Sequence, residues 1–120
     1  MTKDILKDLN EEQKNAVLHT IGPSIILAGA GSGKTRVLTY KVVYLIQEKK
    51  VEPTSILMVT FTNKAANEMK ERILKFVPTS TPIATTFHSL CSKILRRDGI
   101  HIGISPNFVI YDSQDQIDAV

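Results

Sequence analysis

Apolar positions along this chain fall into short runs and longer stripes. The runs are SIILAG at 24–29, SILMVTF at 55–61 and IATTF at 83–87, each flanked by Gly, Pro or polar residues. Unbroken apolar runs of this length predict strands buried on both faces. FVIY at 108–111 reads as a fourth. The stripes lie between them. Asn10 caps a helix that runs to about Thr20, with Gln13 three residues on completing a capping-box pattern. From Lys34 to about Gln47, the residues Val37, Leu38, Val42, Tyr44, Leu45 and Ile46 make a helix apolar on most sides, which predicts burial. Asn63 to Phe76 is amphipathic, with Ala65, Ala66, Met69 and Ile73 on one side and Lys64, Lys70, Glu71 and Lys75 elsewhere. A further helix runs to about Arg97 with Leu90, Cys91, Ile94 and Leu95 inward, so that Cys91 and Met69 read as core. YDSQDQIDAV at 111–120 reads as the start of a helix, which implies a chain stopping in mid-element.

Strands alternating with helices predict an α/β fold, a parallel sheet flanked by helices and joined by right-handed crossovers. Ligands of such sheets sit outside the C-terminal ends of the strands. Three segments fall there: GAGSGKTR, TFTNK and TFHS.

The first of these can hold phosphate. Its loop comprises Ala28, Gly29, Ala30, Gly31, Ser32, Gly33, Lys34 and Thr35. Glycines at 29, 31 and 33 let the backbone turn tightly and approach an anion, and the following helix adds the positive end of its dipole. Lys34 would reach the β/γ-phosphates and the Thr35 hydroxyl would ligate Mg²⁺. The strict G-x-x-x-x-G-K-[ST] pattern asks for glycine at 28, where this chain has Ala28; the dinucleotide pattern G-x-G-x-x-G fails because position 34 is lysine. The bland alternative is a flexible glycine-rich turn.

Composition narrows the classes. At 120 residues the chain is one domain or part of one. Fifteen Lys and Arg against 12 acidic residues give +3, a balance compatible with nucleic acid but not diagnostic of it. One cysteine, Cys91, excludes an internal disulfide, and His19, His88 and His101 are too scattered for a zinc pattern. MTKDILKDLNEE is too charged for a signal peptide, and no apolar run of about 18 residues exists for a membrane span. A cytoplasmic location is the expectation.

LNEEQKNAV, AGAGSGKTR, TFTNKAANEM and TFHSLC, in this order and spacing, resemble the UvrD/Rep-type superfamily 1 DNA helicases, from about Leu9 to Ile117. Ala28 is the usual form of the loop in that family. The resemblance implies a RecA-like P-loop motor domain, here incomplete, that uses ATP and Mg²⁺ and drives 3′-to-5′ movement on single-stranded DNA and duplex junctions, in repair or replication. Residues 1–112 would form the N-terminal part of the motor domain and 113–120 the start of a truncated helical subdomain. The acidic Walker B motif, the arginine fingers and the second motor domain would lie beyond residue 120, leaving residues 1–120 alone without meaningful ATP hydrolysis. By position, Gln13 resembles the glutamine that pairs with the adenine edge, against its reading as a cap partner of Asn10. Arg36 resembles the arginine that stacks on the adenine face, against a solvated charge.

TFTNK and TFHS resemble the first two DNA-contacting motifs. Phe61 would stack on an unpaired base, while Thr60, Thr62, Asn63, Thr86, His88 and Ser89 would hydrogen-bond phosphates. Core packing competes with stacking for Phe61 and is preferred for Phe87, which continues a buried run. Lys64, Lys93, Arg96 and Arg97 read as a solvated surface. Asp112, at the end of FVIYD, matches the general pattern of a Mg²⁺ carboxylate, but Ser113 follows it where this family has glutamate, so Asp112 reads as a cap or turn residue. The rival classes are a non-motor nucleotide- or DNA-binding module and a small-substrate kinase built on the same loop.

Overall fold

The computed structural model describes residues 2–29, 33–79 and 81–110, with the backbone alone for 2–4. Along the chain these form α1 (Thr2–Lys7), α2 (Glu11–Leu18), α3 (Lys34–Gln47), a 3₁₀ turn (Pro53–Ser55), β1 (Leu57–Thr60), α4 (Asn63–Leu74), β2 (Ile83–Thr86), α5 (Phe87–Asp98) and a second 3₁₀ turn (Gly99–Ile102). Two compact units result: one spans Met1–Thr86 and the other begins at Phe87.

In the first unit β1 and β2 pair in parallel, with Leu57 opposite Ile83 and Thr60 opposite Thr86. Helix α4 is the crossover between them. Thr62 caps it, its hydroxyl accepting from Ala65 N–H at 3.1 Å, and Ala66, Met69 and Ile73 fall on the buried stripe. That stripe meets both strands and α3. Ile5, Val42, Val43, Met58, Ala66, Met69, Ile73, Val77 and Ala84 form one core. Fully burying a side chain such as Ile73, at 0% exposure, contributes about 1.5–3 kcal/mol. Leu9, Val17 and Val37 form a second cluster that joins α2 to α3.

The α/β class holds in the form of a small two-stranded parallel sheet with helices. Two expected strands are not formed. Residues 24–29 take no strand conformation, and Ile25 and Leu27 are 88% and 92% exposed. A buried parallel strand needs a ladder partner and covering helices, and the described sheet stops at β1 and β2. Residues 108–110 are likewise irregular. Phe108 instead lies on Arg96, whose guanidinium carbon is 4.4 Å from the ring centroid. Arg96 also donates to Pro106 O at 2.7 Å, so this exposed side chain, on the surface as expected, also ties the segment to α5.

Helix α1 is an element that the apolar pattern does not announce. It is six residues long and is held by Ile5, 3% exposed in the main core. In the second unit α5 forms as expected, but none of its residues is buried. Cys91 is exposed rather than core, and so is Ile94, at 51%. Phe87 opens α5 instead of ending a strand and is 51% exposed, against its expected place in the core. The expected helix at 111–120, the boundary at 112/113 and Asp112 lie outside the described residues.

Candidate functional site

The first candidate surface is the corner built from α2, the described part of the loop, and α3. Gly33 is the N-cap of α3, with φ 80° and ψ 23°, a left-handed conformation that glycine adopts without strain. Space is close as well: a Cβ there would lie 3.2 Å from Gln13 Nε2, the far end of that side chain. The helix then begins with Lys34, Thr35 and Arg36, with no acidic residue in its first turn and no side-chain cap. Its leading amides and dipole are thus left for an anion. Ala30, Gly31 and Ser32 lie outside the described residues.

Gln13 reaches this corner from α2. Asn10 Oδ1 accepts from Gln13 N–H at 2.8 Å, and Gln13 Oε1 accepts from Asn10 N–H at 3.0 Å, so the capping box is complete. An amide oxygen has two lone pairs and an amide nitrogen two donors. With Oε1 fixed toward Asn10, Nε2 is turned toward Gly33. A cavity of about 280 Å³ opens here, lined by Asn10, Glu12, Gln13, Gly29 and Lys34 among others.

Arg36 lies elsewhere. It donates to Asp8 O at 3.4 Å and lines a separate cavity of about 290 Å³ with Thr39, Tyr40, Arg72, Lys75 and Phe76. In the described structure Gln13 and Arg36 therefore border different cavities. Thr35 is half-buried, and its carbonyl accepts from Thr39 Oγ1 at 2.8 Å. One contact escaped the sequence pattern. Lys41, in the second turn of α3, donates to Ala16 O at 3.1 Å and to His19 O at the end of α2. A lysine on a helix reads as solvated charge, and no local spacing announces a partner more than twenty residues away.

The second candidate surface is the turn from β1 to α4. Phe61 is 86% exposed. Thr60 Oγ1 donates to Thr62 O at 2.9 Å, the Thr62 hydroxyl caps α4, and Asn63 is the first residue of that helix and exposed. Thr86, at the end of β2, is buried at 6% exposure. His88 and Ser89 stand in the first turn of α5, in the second unit; His88 is exposed and Ser89 half-buried.

Among the described residues no group of three or more His, Cys, Asp or Glu could hold a metal, and no helix is long and apolar enough to cross a membrane.

Comparison with known proteins places this chain in a family. The UvrD/REP helicase N-terminal domain matches residues 9–120. A probable DNA helicase II homolog of Mycoplasma capricolum is 56% identical over 119 residues, covering 97% of this chain. The ATP-dependent DNA helicase PcrA of Staphylococcus aureus is 54% identical over 114 residues, covering 93% of it, and that of Staphylococcus epidermidis is equally similar. The chain spans 16% of the length of these relatives.

Proposed function

The chain belongs to the UvrD/REP helicase family, and from that premise we propose that it is the ATP-binding N-terminal part of a 3′-to-5′ DNA helicase with a RecA-like motor domain. The carrying observation is that Gln13 Nε2 stands over Gly33, beside a cavity that Gly29 and Lys34 also line. A base-reading amide and a phosphate-facing ammonium thus border one space.

In this reading ATP lies across the corner. The backbone of 28–33 and the start of α3 surround its phosphates, and Lys34 sets a mobile ammonium against the β/γ oxygens. Gln13 donates from Nε2 and accepts at Oε1 along the adenine edge, while its second lone pair keeps the bond to Asn10 N–H. Arg36 turns its planar guanidinium to the adenine face. Thr35 would hold Mg²⁺ through one hydroxyl. A single hard oxygen suits an ion that arrives on a nucleotide's phosphates, and the ion would supply charge neutralisation at the transferring phosphoryl group.

The DNA side uses Phe61 as a stacking face, with Thr60, Thr62, Asn63, Thr86, His88 and Ser89 as phosphate contacts. Phosphate contact positions a strand without reading its sequence, as a translocating enzyme requires. Movement toward the 5′ end, action at duplex junctions and a cytoplasmic task in repair or replication follow from family analogy.

The test is ATP turnover by the full-length protein with and without single-stranded DNA. Stimulation by DNA that is lost in Lys34→Ala is the expected result. Turnover indifferent to DNA would favour a kinase or a non-motor module. Base reading is tested alongside: Gln13→Ala is expected to weaken ATP more than GTP, and equal weakening with a lower melting temperature would leave Gln13 a capping residue only.

A further inference from the structure

Helix α2 is eight residues long, too short to hold its form alone in water. Its first turn carries Glu11 and Glu12 and its last turn no basic residue, so the negative end of its dipole has no compensating charge of its own. The last carbonyls of a helix also lack intrahelical donors. Asn15 O accepts from His19 N–H at 3.0 Å; Ala16 O and His19 O accept instead from Lys41 Nζ on α3. One ammonium therefore supplies both the absent charge and two of the absent donors. Ala16 stands three residues after Gln13, about one turn along the same side of the helix.

We propose that Lys41 is a positioning residue for the nucleotide base: by clamping the end of α2 to α3 it fixes the height of the Gln13 amide over Gly33, and with it the preference for ATP over GTP. This rests on the base-reading role of Gln13 given above. The rest of the α2–α3 joint is the Leu9, Val17 and Val37 cluster. Apolar packing is non-directional, so it holds the helices together more firmly than it fixes their slide along one another. The Lys41 hydrogen bonds fix that slide. Lys41 does not line the cavity bordered by Gln13; it lines a separate one with Ser24, Ile26, Lys34 and Leu38, so an effect passing through Lys34 would fall on both nucleotides, and one passing through α2 on ATP alone.

The test is steady-state ATP and GTP hydrolysis by the full-length protein with saturating single-stranded DNA, for the native sequence, Lys41→Met, Lys41→Arg and Gln13→Ala. Lys41→Met is expected to raise KM for ATP about tenfold, as loss of a charge-assisted contact would. kcat is expected to stay within about twofold and KM for GTP to change little. Lys41→Arg restores the preference, because its fork still donates to two carbonyls. Should Lys41→Met not fold, Lys41→Leu, which likewise removes every donor, is read in its place, and Lys41→Gln, which keeps a neutral donor on a shorter stem, is expected to raise KM for ATP by less and again to leave KM for GTP little changed. If Lys41→Met leaves the ATP:GTP ratio intact while Gln13→Ala collapses it, the inference falls and the base-reading role stands. If neither alters the ratio, the base-reading role falls and the inference with it. Equal losses for both nucleotides, or a loss in kcat, would overturn the inference by showing that Lys41 supports the loop or the fold rather than the base.

Discussion

The two candidate surfaces of the first unit are built in opposite ways. At the corner of α2 and α3 the base-reading candidate is tied back into the fold: Gln13 by the capping box, and α2 itself by Lys41 and the Leu9, Val17 and Val37 cluster, while Lys34 stands exposed. At the β1–α4 turn the hydroxyls of Thr60 and Thr62 serve the turn and the helix cap, and Phe61 stands 86% exposed beside them. The difference fits the two ligands. A nucleotide must be distinguished from close analogues, which requires directed groups held in register. A DNA strand of any sequence needs only a face to stack on and donors that tolerate sliding. The comparison predicts that substitutions at the corner alter selectivity and rate, whereas those at the turn alter affinity alone.

The largest effect is expected at Lys34. It is exposed, so Lys34→Ala should leave the melting temperature unchanged while lowering kcat for ATP by about 10²–10³ or more, since a preorganised charge facing the transferring phosphoryl group is lost. Near-native turnover by the full-length variant would remove the corner from the nucleotide site and erase the contrast with the turn.

Next is Phe61→Ala. Loss of one stacking platform weakens single-strand binding by about 1–3 kcal/mol, with little dependence on base sequence. The salt slope should hold, because it counts phosphate contacts. An exposed ring leaves no cavity when removed, so stability should hardly move. Destabilisation by several kcal/mol with unchanged affinity per folded molecule would make Phe61 a core residue and end the comparison.

Much of this was legible beforehand, and the failures share a cause. α3 matches its expected bounds, and α2 and α4 end within two residues of theirs, because capping residues and a periodic apolar stripe are local signals. β1 and β2 sit inside their predicted runs for the same reason. The runs at 24–29 and 108–110 carry equally strong apolar signals and form no strand. A run of Ile and Leu states that a segment suits a sheet interior; it does not supply the neighbouring strand. The same holds for α5, whose stripe of Leu90, Cys91, Ile94 and Leu95 is as regular as that of α4, yet Leu90 and Leu95 are only half-buried and Cys91 and Ile94 exposed. α1 failed in the other direction: six mostly polar residues make no pattern, and Ile5 gains its place only by packing on α3. At the corner, the Asn10–Gln13 capping box and the glycine turn ending at Gly33 were legible because each is a local pattern. Lys41 was not, because its partners are set by how α2 lies on α3.

The smallest effect tests whether the turn contacts DNA at all. The Thr62 hydroxyl accepts from Ala65 N–H at 3.1 Å, which leaves its own hydrogen to donate outward, for a hydroxyl has one donor and two acceptor sites. Capping and phosphate contact can therefore be carried by the same oxygen. Thr62→Ala removes both and should cost about 1 kcal/mol of stability, but it cannot separate them. Thr62→Asp can. Aspartate caps at least as well as threonine, so the melting temperature should hold or rise slightly. A carboxylate offers no hydrogen and sets a negative charge against the DNA backbone. Single-strand affinity should therefore fall, and the fall should shrink as salt is raised, because exposed charges are screened. Equal affinity of Thr62→Asp and the native protein at low salt would show that no phosphate comes near the start of α4, leaving Thr62 a helix cap and the turn a surface with no nucleic-acid role.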